Sequence, residues 1–291
     1  MPYLIYLIFR GFIFLFRIIP FWLIYRFSDI LYLLLFYLIG YRKKVAEENL
    51  RNSFPEKSNL ELKAIKKAFY RYFCDLLLES VKGFSMSKSE IIRRHKVINP
   101  EIVNNYFDLK KSVLAVTAHY GNWEWGSFSG SVQIRHSVYA FYKQIGNPFI
   151  DAYVRKARAK FNTTLLSIKG TFDSFQKHKD DLIAYIMVAD QNPSNDNDCY
   201  WVNFLHRDTA CLHGPEKYAR LYNFPVFYID IQRIRRGYYE MNLSLLAEDP
   251  SKLPNGKITA LYFKKLEEII IQKPEFWLWT HRRWKHSRGS A

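Results

Sequence analysis

Almost every position from residue 3 to residue 40 is apolar, whereas beyond residue 100 short apolar runs alternate with amphipathic stretches. The first pattern predicts membrane-associated helix and the second an α/β domain. Within the apolar stretch, Arg10, Arg17 and Arg26 interrupt every window of roughly 20 residues that a spanning helix needs. Pro20 predicts a kink or break in its middle. Two forms are compatible with this pattern: a helix that spans or dips into a bilayer, and an apolar hairpin lying in the interface. Arg10 and Arg17 are seven apart, share one helix face and can snorkel toward headgroups. The basic cluster Arg42-Lys43-Lys44 follows directly, the arrangement expected on the cytoplasmic side of a membrane segment. No basic stretch precedes the apolar run and no small-residue cleavage site closes it, which disfavours a cleaved signal peptide.

From Val45 to about Ser87 the spacing is helical. Pro55 stops a first helix, and Ser58 with Glu61 three residues on forms a capping box that starts a second. Ile65, Phe69, Tyr72, Phe73, Leu76 and Leu77 then recur at helical spacing. After Pro100 the predicted strands are 112–118, 137–142, 182–189, 226–231 and 238–246. The predicted helices lie around 123–132, 148–161, 171–178, 214–222 and 256–272. Strands alternating with helices indicate a sheet with helices packed upon it, an α/β fold.

One junction in that alternation carries candidate chemistry. His119 falls just past strand 112–118, Gly121 and Asn122 break the pattern, and Glu124 lies in the first turn of the next helix. In open α/β sheets ligands bind outside the carboxyl ends of the strands. A carboxylate five residues on can return to the imidazole and fix its tautomer. Other polar residues fall where strands end. Lys143 follows strand 137–142, Arg155 and Arg158 share a face of the next helix, and Asp190-Gln191 closes strand 182–189. Asp190 approaches His119 if those two strands are parallel neighbours.

Composition narrows the partners. With 43 Lys and Arg against 27 Asp and Glu, the net charge of +16 implies an acidic partner, either nucleic acid or an anionic membrane surface. An aromatic content of 18% favours the membrane, where Trp and Tyr sit at headgroup level. The aromatic and basic ending, residues 274–285, reads as a nucleic-acid patch, a headgroup-level anchor or a packed terminal strand with a solvated face. With no nucleic-acid motif beside it, nucleic acid is not expected. The three cysteines, Cys74, Cys199 and Cys211, have no paired spacing and are expected as buried thiols of a reducing compartment. A calcium-loop reading of 190–201 fails, since Asn195 and Trp201 stand where glycine and glutamate are required. P-loop, dinucleotide and Gly-x-Ser-x-Gly motifs are absent from the sequence.

Taken in order, these residues resemble the bacterial lipid A biosynthesis (late, lauroyl/myristoyl) acyltransferases, within the glycerolipid-acyltransferase-like group. The likeness runs through Arg42, Asn49-Leu50, Phe54-Pro55 and Glu79, then His119 to Glu124, Tyr142-Lys143, Asn147-Pro148, Asp151, Arg158, Asp190-Gln191 and the block Pro274–Lys285. It implies a mixed sheet flanked by helices, with residues 1–42 a membrane-associated helical segment and 43–291 a cytosolic acyltransferase domain at the inner membrane. It further implies that a fatty acyl chain moves from a thioester, on acyl carrier protein or coenzyme A, to a hydroxyl of a lipid A precursor, without metal or cofactor. In that scheme His119 is the general base and Glu124 orients it. Backbone N–H groups near Gly121 and Asn122 are oxyanion donors, Arg158 is another, and Lys143, Arg158, Asp190 and Asn122 form the substrate-binding set. Lys143 stands where the family usually has arginine and so lacks the bidentate fork. A lysophospholipid or aminolipid acceptor, or a non-catalytic membrane scaffold, stays open beside the lipid A reading.

Overall fold

In the computed structural model, which describes residues 1–178, 181–194 and 199–288, the apolar segment forms two helices. Helix α1 (Pro2–Ile18) ends where Ile19 turns extended ahead of Pro20, as proline's restriction on its predecessor requires. Helix α2 (Phe21–Leu33) runs on through a π-helical turn at Leu34–Ile39. Together Phe21–Ile39 are long and apolar enough to cross a membrane. Leu4, Ile8, Phe14, Trp22, Leu38 and Ile39 all point outward, so much of this apolar surface has no protein partner.

The segment is nevertheless stitched to the rest of the chain. Helix α3 (Lys43–Ser53) leads to α4 (Asn59–Gly83), whose start is the expected capping box: Ser58 Oγ accepts from Glu61 N–H, and the Glu61 carboxylate accepts from Ser58 N–H at 2.8 Å. Lys82, near the end of α4, donates to the orphan carbonyls of Phe16 (2.8 Å) and Ile19 (2.9 Å) and so caps α1. Ser28 of α2 donates to buried Asp75 at 2.6 Å. Arg233, in the strand Val226–Arg235, and Arg236, in the turn that follows it, reach the same carboxylate, each at 2.6 Å.

The remaining elements are α5 (Lys88–Arg94), β1 (His95–Val97), α6 (Glu101–Asp108), β2 (Val113–Thr117), α7 (Trp123–Ser129), β3 (Ser137–Tyr142), α8 (Pro148–Ala159), β4 (Thr163–Ser167), α9 (Thr171–Lys177), β5 (Ile183–Val188), β6 (Tyr200–Phe204), β7 (Arg207–Cys211), α10 (Gly214–Tyr222), β8 (Val226–Arg235), β9 (Tyr238–Ala247) and α11 (Lys257–Gln272). Seven strands form one mixed sheet in the order β1-β9-β8-β2-β5-β3-β4, and β6-β7 is a separate antiparallel hairpin. Strands β8, β2, β5, β3 and β4 are mutually parallel, while β9 runs antiparallel to β8. The fold is therefore the expected α/β sheet flanked by helices.

All five residues of β2 are buried, the signature of a central strand covered on both faces. Leu114 and Val116 face a core built with α11, through Tyr262, Leu266 and Ile270. Val113 and Ala115 face a second core with Trp125 and Phe128 of α7. The strand expected at 226–231 runs on to Arg235 as one arm of a hairpin with β9. The sequence pattern had not shown β1, β4, α5, α6 or the β6-β7 hairpin. Each is short, and none carries enough apolar alternation to stand out. Of the cysteines, Cys74 and Cys211 are buried as expected, but Cys199 is only partly so. The rejected calcium loop falls partly on residues 195–198, which lie outside the described residues.

Candidate active site

Parallel pairing of β2 with β5 aligns Thr117 with Val188, so the residues just past both strands meet at one edge of the sheet. His119 follows β2 and Asp190 follows β5. Asp190 Oδ1 lies 2.7 Å from His119 Nδ1, and Oδ2 accepts the His119 backbone N–H at 3.1 Å. Trp277 Nε1 donates to Oδ2 as well, at 2.9 Å. A carboxylate acceptor at Nδ1 assigns the ring proton to that nitrogen and leaves the Nε2 lone pair toward the open side. There the Gln191 side-chain amide approaches Nε2 at 3.1 Å.

Burial works against charge on the His119 imidazole. The adjacent Asp190 charge and hydrogen bond, with help from Glu124, outweigh it and hold the pKa above the ordinary histidine value. Burial likewise pulls the Asp190 carboxyl upward, but His119 and the Trp277 donor outweigh it, so its pKa is lowered. The pair is an imidazole raised in basicity by an ionised, nearly inaccessible carboxylate.

The structure separates the two residues that spacing had paired. Glu124 does not hydrogen-bond His119; its carboxylate takes Arg158 Nη2 at 2.6 Å, and Arg158 also bonds the Ser127 hydroxyl. The reason is direction. Glu124, in the first turn of α7, lies against Arg158 of α8, whereas the pairing of β2 with β5 brings Asp190 back to His119. Asp190 thus contacts His119 itself, where a contact to substrate was expected. Asn122 departs further from expectation. It is fully buried, caps α7 by accepting Trp125 N–H at 2.9 Å, and donates to Glu79 at 2.8 Å. Both ends of its side chain are occupied away from the cavity. The Gly121 N–H is also taken, by Phe276 O at 3.1 Å, and so is not a free oxyanion donor.

The turn is braced from behind. Glu79, wholly buried on α4, also accepts from Tyr25 at 2.9 Å and Tyr239 at 2.7 Å. Burial pushes its carboxyl up to about 7, with Asp75 adding to the effect against Arg233 and the two hydroxyls. Tyr72 donates to Gly121 O. The terminal block closes the other side: Leu278 N–H donates to His119 O at 3.1 Å, and Asn49 of α3 holds the Trp279 and His281 carbonyls, each at 2.9 Å. Trp277, Trp279 and Arg283 are buried, so this ending packs as the third reading expected, but as a 3₁₀ turn (Pro274–Phe276) and irregular chain with one bridge from Trp277 to Tyr120, not as a strand. Gln191, Ser127 and Trp277 complete the site without having been picked out as site residues. Two of them carried an earlier signal, Trp277 as part of that aromatic block and Gln191 beside Asp190 at the end of strand 182–189; Ser127 carried none.

Gly121 fits this turn because of its backbone. Its φ is +60°, and a Cβ there would lie 2.2 Å from Ile231 O. Gly121→Ala is expected to displace the turn and lower the thermal unfolding temperature, at a cost of more than about 1–3 kcal/mol from the conformation alone. A melting curve matching wild type would contradict this account.

From His119 a cavity of about 570 Å³ runs under α7 along one face of the sheet. Its mouth carries His119, Glu124, Lys143, Arg158 and Gln191. Lys143 is exposed and Arg158 is fixed by its two partners. The walls inside are apolar, and small residues make the room: Ala115, Ala140 and Ala184 on the strands, Gly126 and Gly130 above them. Alternate strand residues share a face, so Ala115 and Ala140 on either side of Ile186, with Ala184 two residues back along β5, open one continuous slot.

A base poised by a carboxylate at the mouth of an apolar slot suits removal of a proton from a polar group beside a hydrocarbon chain. Residues 1–286 match the family model of the bacterial lipid A biosynthesis acyltransferases. The chain is also similar to the lipid A biosynthesis lauroyltransferase of Escherichia coli (strain K12), at 24% identity over 271 residues, covering 92% of this chain and 87% of that protein. A match of this extent makes the protein an acyltransferase, and the chain belongs to the bacterial lipid A biosynthesis acyltransferase family.

Proposed function

We propose that the protein moves a fatty acyl chain from an acyl thioester, carried by acyl carrier protein or coenzyme A, to a hydroxyl of a lipid A precursor at the cytoplasmic face of the inner membrane. The observation that carries this reading is the His119–Asp190 pair, 2.7 Å apart, at the mouth of the 570 Å³ apolar cavity. His119 Nε2 takes the acceptor hydroxyl proton as that oxygen attacks the thioester carbonyl. The tetrahedral oxyanion collapses and expels the thiolate, which recovers the proton from the His119 imidazolium. Asp190 stabilises the imidazolium in between, and positioned base help of this kind is worth roughly 10²–10⁴-fold. The Glu124–Arg158 pair and Lys143 set the charge at the mouth, where Lys143 meets an anionic group of the acceptor or donor as a point charge.

The acyl chain occupies the slot, gaining about 0.8 kcal/mol for each methylene it buries. The far end lies where Ala184 sits between Val113 and Val138 in the sheet register. Ala184 is four residues before Val188, or roughly 13 Å at about 3.3 Å per strand residue. Ala184→Phe is therefore expected to shorten the slot. Donors that reach the new ring should lose roughly 10–200-fold in kcat/KM for each methylene excluded, while shorter donors stay near wild type. An unchanged chain-length profile would remove the acyl chain from this slot.

The reading as a whole is tested by incubating detergent-purified protein with acyl thioesters and a lipid A precursor, then weighing the lipid by mass spectrometry. A gain of one acyl chain is expected. Acylation of a lysophospholipid or aminolipid with an unchanged lipid A precursor would replace the acceptor.

The raised basicity of His119 also sets a pH dependence. The neutral ring is the active form, so kcat/KM should rise with pH along an acid limb whose midpoint lies above the ordinary histidine value of 6.5. In Asp190→Asn the partner charge is gone and burial dominates, so the midpoint should fall. A pH–rate profile of both proteins decides the point, and a midpoint unmoved by the substitution would separate Asp190 from the base.

A further inference from the structure

A second cavity of about 500 Å³ lies far along the chain from the chemistry, between the π-helical turn, α3 and the start of α4. None of its lining residues lines the catalytic cavity. Five cations surround it (Lys43, Arg51, Lys63, Lys66 and Lys67) against one carboxylate, Glu47. Glu47 is already used, taking Lys66 at 2.6 Å and Arg51 at 3.6 Å. Among the described residues Lys63 and Lys67 make no ion pair. Lys43 lies 4.4 Å from the centre of the Phe36 ring, which with Leu50 and Leu62 gives the cavity an apolar side.

Its position says what would fill it. Phe36 and Tyr37 belong to the last turn of the one apolar run among the described residues long enough to cross a membrane, and Leu38 and Ile39 beside them are exposed. A cationic cavity at the end of such a run, with an apolar side, matches an amphiphile whose charged end is anionic. The geometry points to a binding site for a bilayer lipid bearing an anionic phosphate headgroup, separate from the acyl-transfer site. The headgroup phosphate sits among Lys43, Lys63 and Lys67, and the lipid's chains lie against the exposed face of residues 34–39. The site rests on residues 21–39 lying in a bilayer and does not depend on which lipid is acylated.

Native mass spectrometry of the full chain in neutral detergent tests it. Phosphatidylglycerol and phosphatidylcholine with identical acyl chains are added separately. Preferential retention of phosphatidylglycerol is expected. The Lys63→Ala/Lys67→Ala variant should lose that preference by about fivefold per lysine, roughly thirtyfold in all. Lys63→Arg/Lys67→Arg should restore it, and acylation of a detergent-dispersed substrate should be unchanged in both. Equal retention of the two lipids, or an unaltered preference in the alanine variant, overturns the site. Displacement of the lipid by inorganic phosphate at equal concentration overturns the lipid as its source. If the protein proves soluble without detergent, the membrane placement itself fails, an outcome distinct from the others.

Discussion

His119→Ala is expected to abolish acyl transfer, with kcat/KM falling by about 10²–10⁴-fold or more, while the fold and whatever membrane association the wild type shows stay unchanged. An alcohol is a poor nucleophile until its proton is taken, and among the described residues His119 is the one imidazole hydrogen-bonded to Asp190. The fold should survive because the His119 main chain keeps its hydrogen bonds to Asp190 and Leu278. The side chain is partly exposed, and its loss removes one ring contact, with Trp123 at 5.0 Å. Asp190 retains two donors, the His119 N–H and Trp277 Nε1, so the buried carboxylate is not orphaned. Transfer rates, thermal melting and the membrane fraction are measured together. Wild-type turnover in this variant would sink the general-base reading, and with it the assignment of the site.

The second large effect separates the two carboxylates. In Asp190→Asn the volume is kept but the acceptor facing Nδ1 is replaced by an amide. Turned to offer its NH₂, that amide draws the imidazole proton to Nε2 and removes the lone pair that would accept the substrate proton. A loss in kcat of roughly 10²–10⁴-fold is expected, the scale seen when a triad histidine is held in the wrong tautomer. Glu124→Gln should behave differently. Glu124 is bonded to Arg158 at 2.6 Å, so its loss frees the guanidinium at the mouth and should act more on KM than on kcat. Steady-state kinetics of the two variants are the measurement. A severe kcat loss in Glu124→Gln beside a near-normal Asp190→Asn would return the orienting role to Glu124.

That exchange of carboxylates shows where sequence reasoning stops. Elements with sustained periodicity were legible: the five strands expected after residue 100 and the helices between them all occur, as do the capping box at Ser58 and the break at Pro20. Elements of three to five residues such as β1 and β4 were not, because so few positions cannot show a period. The site was half legible. A histidine at a strand end stands out locally, but its partner lies 71 residues away, and only the pairing of β2 with β5 brings it near. Spacing favours the nearer carboxylate, since proximity along the chain is all that spacing measures. Asn122 failed for a related reason. A polar residue in a catalytic turn looks available until burial and its bonds to Trp125 and Glu79 are seen.

The sequence by itself determined that an apolar, arginine-punctuated segment precedes an α/β domain, that His119 sits at the carboxyl end of a buried strand, and that the whole carries excess positive charge. These are properties of local pattern and composition, and they hold whatever the strand order. Tertiary structure alone decided that Asp190 holds the imidazole, that Glu124 holds Arg158, and that three alanines on neighbouring strands line one slot. Each depends on which strands are neighbours and in what register, and those contacts are set by packing between segments far apart in the chain.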